Sequence, residues 1–405
     1  MITLGEKVSN LKAIILIIQV MLIACGQNEL SDDQRMEQAI KICQEALILD
    51  SHIDWPESVY NNPRDISIEN PVGDFDIVRA EKGGLNAVFS VLYIDSHLNL
   101  QEGRVMFDSL YQIVGSYISD QAGKFARAFS PGELKQNFTR NLLSLPLCLE
   151  NGSIIGDQLE YIQELKDLGI TYITLCHNKS NQICDANMSS DRPWNGLSPF
   201  GEEVVEVLNR NGIIIDISHS SDSTVSDVLK RSSAPIVATH TGCRYFTPGY
   251  DRNLPDELIR EIAGKEGVIM IAFGSMFLDP ECSKNIEYLM SHFNSTGIDY
   301  ASEEGMKIIQ NYMKDHRLFA EADQVVDHID HVVQIAGIDH VGLGSDFDGV
   351  GPTLPVGLPD VSGYPVIVAE LLKRGYNNKE LEKILGQNFL RVWQRVVDVA
   401  HSMNQ

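Results

Sequence analysis

Positive charge, long apolar runs and patterned cysteines are scarce in this chain, and each shortage removes a class of function. Lys and Arg number 32 against 56 Asp and Glu among 405 residues, a formal charge of −24, and no basic run exceeds two residues. Nucleic acids and anionic lipids are held by clustered cations, so composition argues against both as ligands. The most apolar stretch, residues 13–24, is broken by Gln19 and is too short to cross a bilayer, which takes about 20 residues. The seven cysteines contain no Cys-x-x-Cys spacing, which leaves no support for a zinc ribbon or a thioredoxin-like redox motif. What the chain does have is 43% hydrophobic residues, enough for a large folded core.

Lys7 and Lys12 followed by that apolar stretch fit a secretory signal, residues 1–24. Its end, Leu22-Ile23-Ala24-Cys25, resembles the lipobox of bacterial lipoproteins. The resemblance implies cleavage before Cys25, lipidation of that cysteine and anchoring to a bacterial membrane at the periplasm or cell surface. Residues 25–39 are then a tether. An ordinary signal peptide, or an N-terminal helix that stays on, are the alternatives. The other cysteines, Cys43, Cys148, Cys176, Cys184, Cys243 and Cys282, are widely scattered and read as small buried hydrophobes, although an exported chain can pair some of them.

Eight short runs rich in apolar and β-branched residues follow: 47–54, 85–92, 145–150, 170–177, 213–219, 235–240, 268–273 and 340–346. Most are continuous rather than alternating, as strands buried on both faces are. Helix-like stretches lie between them, at 156–168, 200–211, 221–231 and 256–263. Ser198-Pro199 and Asn211-Gly212 supply start and stop signals for the second of these. Alternation of this kind over about 300 residues predicts a (β/α)8 TIM barrel at 40–398 with a tail at 399–405. The excursions 94–138 and 278–316 predict extra rim helices, and the Pro- and Gly-punctuated 354–365 predicts a loop.

Ionisable residues sit at the ends of these runs: His52 and Asp54, Glu150, His177, His219, His240 and Asp346. On a parallel barrel those ends open on one face, so residues nearly 300 positions apart converge. Buried imidazoles and carboxylates need compensation, and a metal site is the simplest kind. His52 and Asp54, at i and i+2, project to one side of a strand. With Glu150, His219 and His240 they make a donor set suited to Zn2+. Five ligands exceed the need of one open tetrahedral site. Two ions sharing Glu150, with His52 and Asp54 on one and His219 and His240 on the other, use them all and would hold a hydroxide between them.

Seven segments in order resemble the membrane dipeptidase (renal dipeptidase) family of zinc peptidases: Asp50-Ser51-His52-Ile53-Asp54, Glu150-Asn151-Gly152, Leu175-Cys176-His177, Asp216-Ile217-Ser218-His219, Thr239-His240-Thr241, Arg252-Asn253-Leu254-Pro255-Asp256 and Gly344-Ser345-Asp346-Phe347-Asp348-Gly349. The resemblance implies a binuclear zinc barrel that hydrolyses dipeptides, tolerates a D-residue on the C-terminal side and in some members opens β-lactams. It assigns the same five ligands, gives His177 the oxyanion, Arg252 the substrate carboxylate and Asp346 the proton transfer. Arg244 competes with Arg252 for the carboxylate, and Asp348 competes with Asp346. The expected partners are dipeptides, a membrane reached only through the Cys25 lipid, and a second copy in a homodimer.

Two segments depart from the family pattern. Ile271-Ala272-Phe273-Gly274 stands where the family often has Asn-Phe-Tyr, and the loop from His177 to Asn181 is only partly family-like. The rival enzyme is a barrel amidohydrolase acting on a non-peptide amide, lactone or phosphoester. Many of those begin with His-x-His and bridge their metals through a modified lysine on strand four, whereas this chain has His-x-Asp and Glu150. A non-catalytic lipoprotein that captures peptides or metal is the other rival. His328 and His331, three residues apart, read as exposed imidazoles on an amphipathic helix.

Overall fold

The computed structural model describes residues 30–300 and 302–405. The signal reading for 1–24, the Cys25 anchor and the first residues of the tether lie outside the described residues. The frame is eight parallel strands: β1 Ile48–Ile53, β2 Leu85–Tyr93, β3 Leu147–Glu150, β4 Ile170–Thr174, β5 Ile214–Asp216, β6 Val237–Thr241, β7 Val268–Ile271 and β8 Val341–Leu343. Each pairs with the next, from Ile53 against Ser90 round to Leu343 against Ile271. Ile53 then bridges Phe347, just past β8, and the Asp54 N–H donates to the Phe347 carbonyl at 2.9 Å, which closes the ring. The fold is a (β/α)8 barrel. Two accessory strands, Phe125–Ala126 and Leu143–Ser144, run beside the start of β2 through Ala87 and Ser144.

Continuous apolar runs became these strands because helices cover one face and the barrel interior fills the other. That interior is layered. Leu49, Phe89, Tyr172 and Met270 form an apolar floor plugged by Phe389 and Trp393 of the helix Asn388–Met403. Phe89 meets Phe389 edge-on at 4.7 Å and Trp393 at 5.7 Å, a favoured aromatic geometry. Above the floor lies a buried polar layer of Ser51, Thr174, Asp216 and Thr239. The Ser51 hydroxyl donates to the Thr239 carbonyl across the barrel at 2.7 Å. Gly344 keeps that approach open, since a Cβ there would overlap both groups.

Several expectations need correction. The residues from Asp32 to 39 are helix rather than tether: Ser31 and Gln34 form a capping box for Asp32–Glu45, and Ala39 and Cys43 bury its inner face. At the other end, 399–403 belongs to Asn388–Met403, with Ala400 buried. The 354–365 loop yields at Tyr364 to the helix Tyr364–Lys373. Helices Leu100–Asp120, Pro280–Thr296 and Glu303–Tyr312 occupy the excursions, as expected.

His328 and His331 are buried, not exposed. Their helix, Ala322–Ala336, packs its imidazole face onto the loop after β6. His328 Nδ1 accepts the Cys243 N–H at 2.9 Å while its Nε2 faces the Leu278 carbonyl at 3.2 Å. His331 pairs with Asp256 at 2.8 Å beneath the Tyr245 ring. The six described cysteines are buried and unpaired by disulfides. Among the described residues, no helix is long and apolar enough to cross a membrane.

Candidate metal centre and substrate pocket

Every strand-end residue singled out above joins one cluster at the C-terminal mouth of the barrel. The strands stop sooner than the apolar runs do, at Thr174, Asp216 and Leu343. Beyond them the backbone bends sharply: Asn151, His219, Asp346 and Asp348 have φ of 78°, 64°, 65° and 63°. Such left-handed conformations are costly for non-glycine residues and cluster at functional sites. At His219 and Asp346 they bring the side chain into the cluster over the barrel.

Glu150 stands at the centre, with its two oxygens facing different partners. Oε1 lies 3.2 Å from His219 Nε2 and 3.4 Å from His240 Nε2. Oε2 lies 3.6 Å from His52 Nε2, which is itself 3.6 Å from Asp54 Oδ2. Three groups have ligand atoms all within 4.8 Å of one another: His52, Asp54 and Glu150; Glu150, His177 and His219; and His52, His240 and Asp346. His177 and Asp346, expected only in catalytic roles, therefore stand within ligand reach as well.

The outer ring nitrogens decide what the inner ones offer. His52 Nδ1 lies 2.8 Å from the Tyr172 hydroxyl, whose own hydrogen goes to the Ser51 carbonyl at 2.9 Å. His219 Nδ1 lies 3.0 Å from Asn178 Oδ1, and His240 Nδ1 lies 3.0 Å from Thr239 Oγ1. Each partner accepts, so each hydrogen is on Nδ1 and each Nε2 presents a lone pair, the arrangement that metal-binding histidines show. Accordingly His52 Nε2 and Glu150 Oε1 are buried without a hydrogen-bond partner. Three inward imidazole nitrogens and surrounding carboxylate oxygens fit divalent cations of the zinc class.

Electrostatics favour the unprotonated ring at two of the three histidines; at His52 burial acts the same way, but Glu150 and Asp346 outweigh it and raise the pKa. Burial holds His219 and His240 well below the ordinary histidine range. Burial, then Glu150 and Asp346, pushes the Asp54 carboxyl well up. Glu150 goes the other way despite its burial, because His52, His219 and His240 favour its charge. Asp346 is pushed up to about 6 by burial, against the pull of His52. His177, beside Tyr93 at 3.5 Å, is lowered by burial.

The two rivals, Arg244 and Asp348, are each engaged elsewhere. Arg244 is committed to Asp222, with bonds of 2.7 and 2.8 Å, and to the Asn253 carbonyl. Arg252 is buried over the Phe277 ring, 5.0 Å away, with neither Nη atom bonded. Asp348 is taken up by Ser58, Arg64 and the Asp74 N–H. Asp346 faces Asp54 and His52. Where strand seven departs from the family pattern, Ala272, Phe277 and Tyr250 form an apolar wall.

The family model for membrane dipeptidase, peptidase family M19, matches residues 36–405. The chain belongs to that family. It is a metallodipeptidase. An uncharacterized dipeptidase of Schizosaccharomyces pombe is 31% identical over 379 residues, spanning 88% of this chain and 83% of its own. The crystal structure of the probable dipeptidase PvdM from Pseudomonas aeruginosa superposes with a TM-score of 0.80 at 25% identity, over 91% of this chain and 99% of that one. A metallopeptidase from Rhodobacter sphaeroides, liganded with a phosphinate mimic of the dipeptide L-Ala-D-Ala, shares the fold with a TM-score of 0.73 at 22% identity. That likeness covers 87% of this chain and 99% of the other.

Sequence reasoning missed the supports of this dipeptidase's site. Tyr172, Asn178 and Thr239 orient the three histidines, and Asp216 lies under Thr239. Thr239 and Asp216 stand inside the quoted motifs, one residue before His240 and three before His219, which was the available signal.

Proposed function

We propose that this protein hydrolyses dipeptides, including those ending in a D-residue, with two zinc ions held by His52, Asp54, Glu150, His219 and His240. The division of the Glu150 oxygens between two sets of ligands carries that reading. The dipeptide mimic bound by the Rhodobacter relative, whose second residue is D-Ala, supports the substrate stereochemistry. Divalent ions in such a site polarise the scissile carbonyl and acidify water.

The chain supplies the rest. Arg252 receives the substrate's C-terminal carboxylate in its free Nη fork, which sets the length limit at two residues. His177 stands over His219, 4.2 Å between ring centroids, and donates to the carbonyl oxygen as negative charge develops. Asp346 takes a proton from the water whose oxygen bonds to the carbonyl carbon, and passes it to the amine nitrogen as the C–N bond breaks. No covalent bond to the chain forms. Export and lipid anchoring through Cys25 belong to the same proposal on the sequence of residues 1–25, and mass spectrometry of the mature N-terminus tests them.

The deciding experiment measures amino acid released from L,L- and L,D-dipeptides, a tripeptide and a C-terminally amidated dipeptide, before and after removal of metal verified by elemental analysis. Dipeptides alone turn over, and only with metal present. Undiminished turnover by verified metal-free protein would falsify the proposal.

A further inference from the structure

Asp216 lies wholly buried beneath the metal cluster. Its Oδ1 accepts the N–H groups of Ser218 and Thr239 at 3.0 and 2.9 Å. Its Oδ2 accepts the hydroxyls of Thr174 and Thr239 at 2.6 and 2.7 Å. Four hydrogens thus converge on two oxygens, and the single hydroxyl hydrogen of Thr239 is committed downward. The Thr239 oxygen can then only accept from His240 Nδ1, 3.0 Å above it. Ser218 Oγ, 3.4 Å from the same oxygen, lies farther off.

We infer that Asp216 is a positioning residue for the metal centre: through the Thr239 hydroxyl it fixes the hydrogen of His240 on Nδ1 and so makes Nε2 the ligand atom. The inference rests on the two-ion reading above. Its distinctive consequence concerns hydrogen-bond direction. In Asp216→Asn the carboxamide oxygen is needed by the two backbone N–H groups, so its NH2 faces Thr174 and Thr239. The Thr239 hydroxyl must then accept from below and donate upward, which drives the His240 hydrogen to Nε2, where a metal would bind. His52 is less exposed to this effect, because its Nδ1 is closer to Tyr172 than to Thr239, 2.8 against 3.3 Å.

The test titrates the full chain with Zn2+ against a chromogenic chelator for wild type, Asp216→Asn, Thr239→Val and Thr239→Ser, and reads the histidine tautomers from imidazole 15N shifts. Asp216→Asn and Thr239→Val are expected to weaken one of the two ions by roughly 10- to 100-fold, the range for lost outer partners of metal-bound histidine. Thr239→Ser, which keeps the hydroxyl, retains wild-type affinity. Affinities within about two-fold of wild type in both Asp216→Asn and Thr239→Val would overturn the inference, as would an unchanged His240 tautomer in Asp216→Asn. If Asp216→Asn does not fold, the contrast between Thr239→Val and Thr239→Ser decides. Wild-type protein that binds no zinc overturns the two-ion reading instead, so the two failures are distinguishable.

Discussion

The Nε2 atoms of His219 and His240 face each other at 2.9 Å, each on a ring whose Nδ1 hydrogen is already engaged by Asn178 or Thr239. Two lone pairs at that distance, with Glu150 Oε1 beside both, repel unless a cation lies between them and the carboxylate. Metal binding should therefore stabilise the folded chain. At a free zinc concentration one hundred times Kd the gain is about 2.7 kcal/mol, read calorimetrically as a higher Tm that falls back on chelation. His240→Ala should bind one ion fewer by elemental analysis and show a smaller metal-dependent rise. A Tm indifferent to zinc and to chelator would remove the basis for a cation at this point.

Arg252 carries the prediction about substrate recognition. Its guanidinium is buried with both Nη atoms unbonded, and burial lowers its ordinarily high pKa. A carboxylate entering the pocket would satisfy both nitrogens. Arg252→Ala should lower kcat/KM for a dipeptide about 100-fold, corresponding to about 3 kcal/mol for lost charge-assisted hydrogen bonds. The amidated dipeptide, poor for the wild type, should change little between the two proteins. Equal losses on both substrates would show that Arg252 supports the fold and does not recognise the carboxylate.

Much of this site was legible because a parallel barrel turns sequence position into spatial position. His52, Glu150, His219 and His240 end apolar runs, and strand ends share one face. What was not legible depended on contacts between distant segments. Burial of His328 follows from the docking of Ala322–Ala336 against Cys243 and Leu278, which helical periodicity alone does not reveal. Nearness to the strand end already favours Asp346 over Asp348; what the sequence does not show is that Ser58, Arg64 and Asp74 engage Asp348. The helix Asp32–Glu45 was hidden by a polar first turn that resembles a tether, although Ser31 and Gln34 carried its capping signal.

Gly349 is a close neighbour of the cluster, and it predicts a functional defect without a folding defect. A Cβ at this position would press on Asp54 Oδ2 and Asp346 Oδ1 together. Both are ends of side chains that can move aside, so the fold tolerates the methyl group while the carboxylates leave their places. Gly349→Ala should keep the wild-type circular dichroism and lose roughly 10- to 100-fold in metal affinity or turnover, the cost expected when groups around a metal are displaced. Full activity would mean that neither carboxylate position matters at this precision.

Acid stability depends on a histidine that lies away from the candidate metal ligands. His328 is buried between the Cys243 N–H and the Leu278 carbonyl, and burial pushes its pKa down from 6.5 to about 4. Above pH 6.5 the ring is neutral folded or unfolded, and its contribution does not change with pH. Between 6.5 and about 4 the unfolded chain takes up a proton that the folded chain refuses, so stability falls as pH falls. At about 1.4 kcal/mol per pH unit the loss approaches roughly 3 kcal/mol across that window. His328→Gln, which offers an amide donor and acceptor but cannot titrate there, should flatten this part of the denaturant-midpoint profile relative to wild type, even if it lowers stability at neutral pH. Parallel profiles for the two proteins from pH 7 to 4.5 would place the acid sensitivity in other groups.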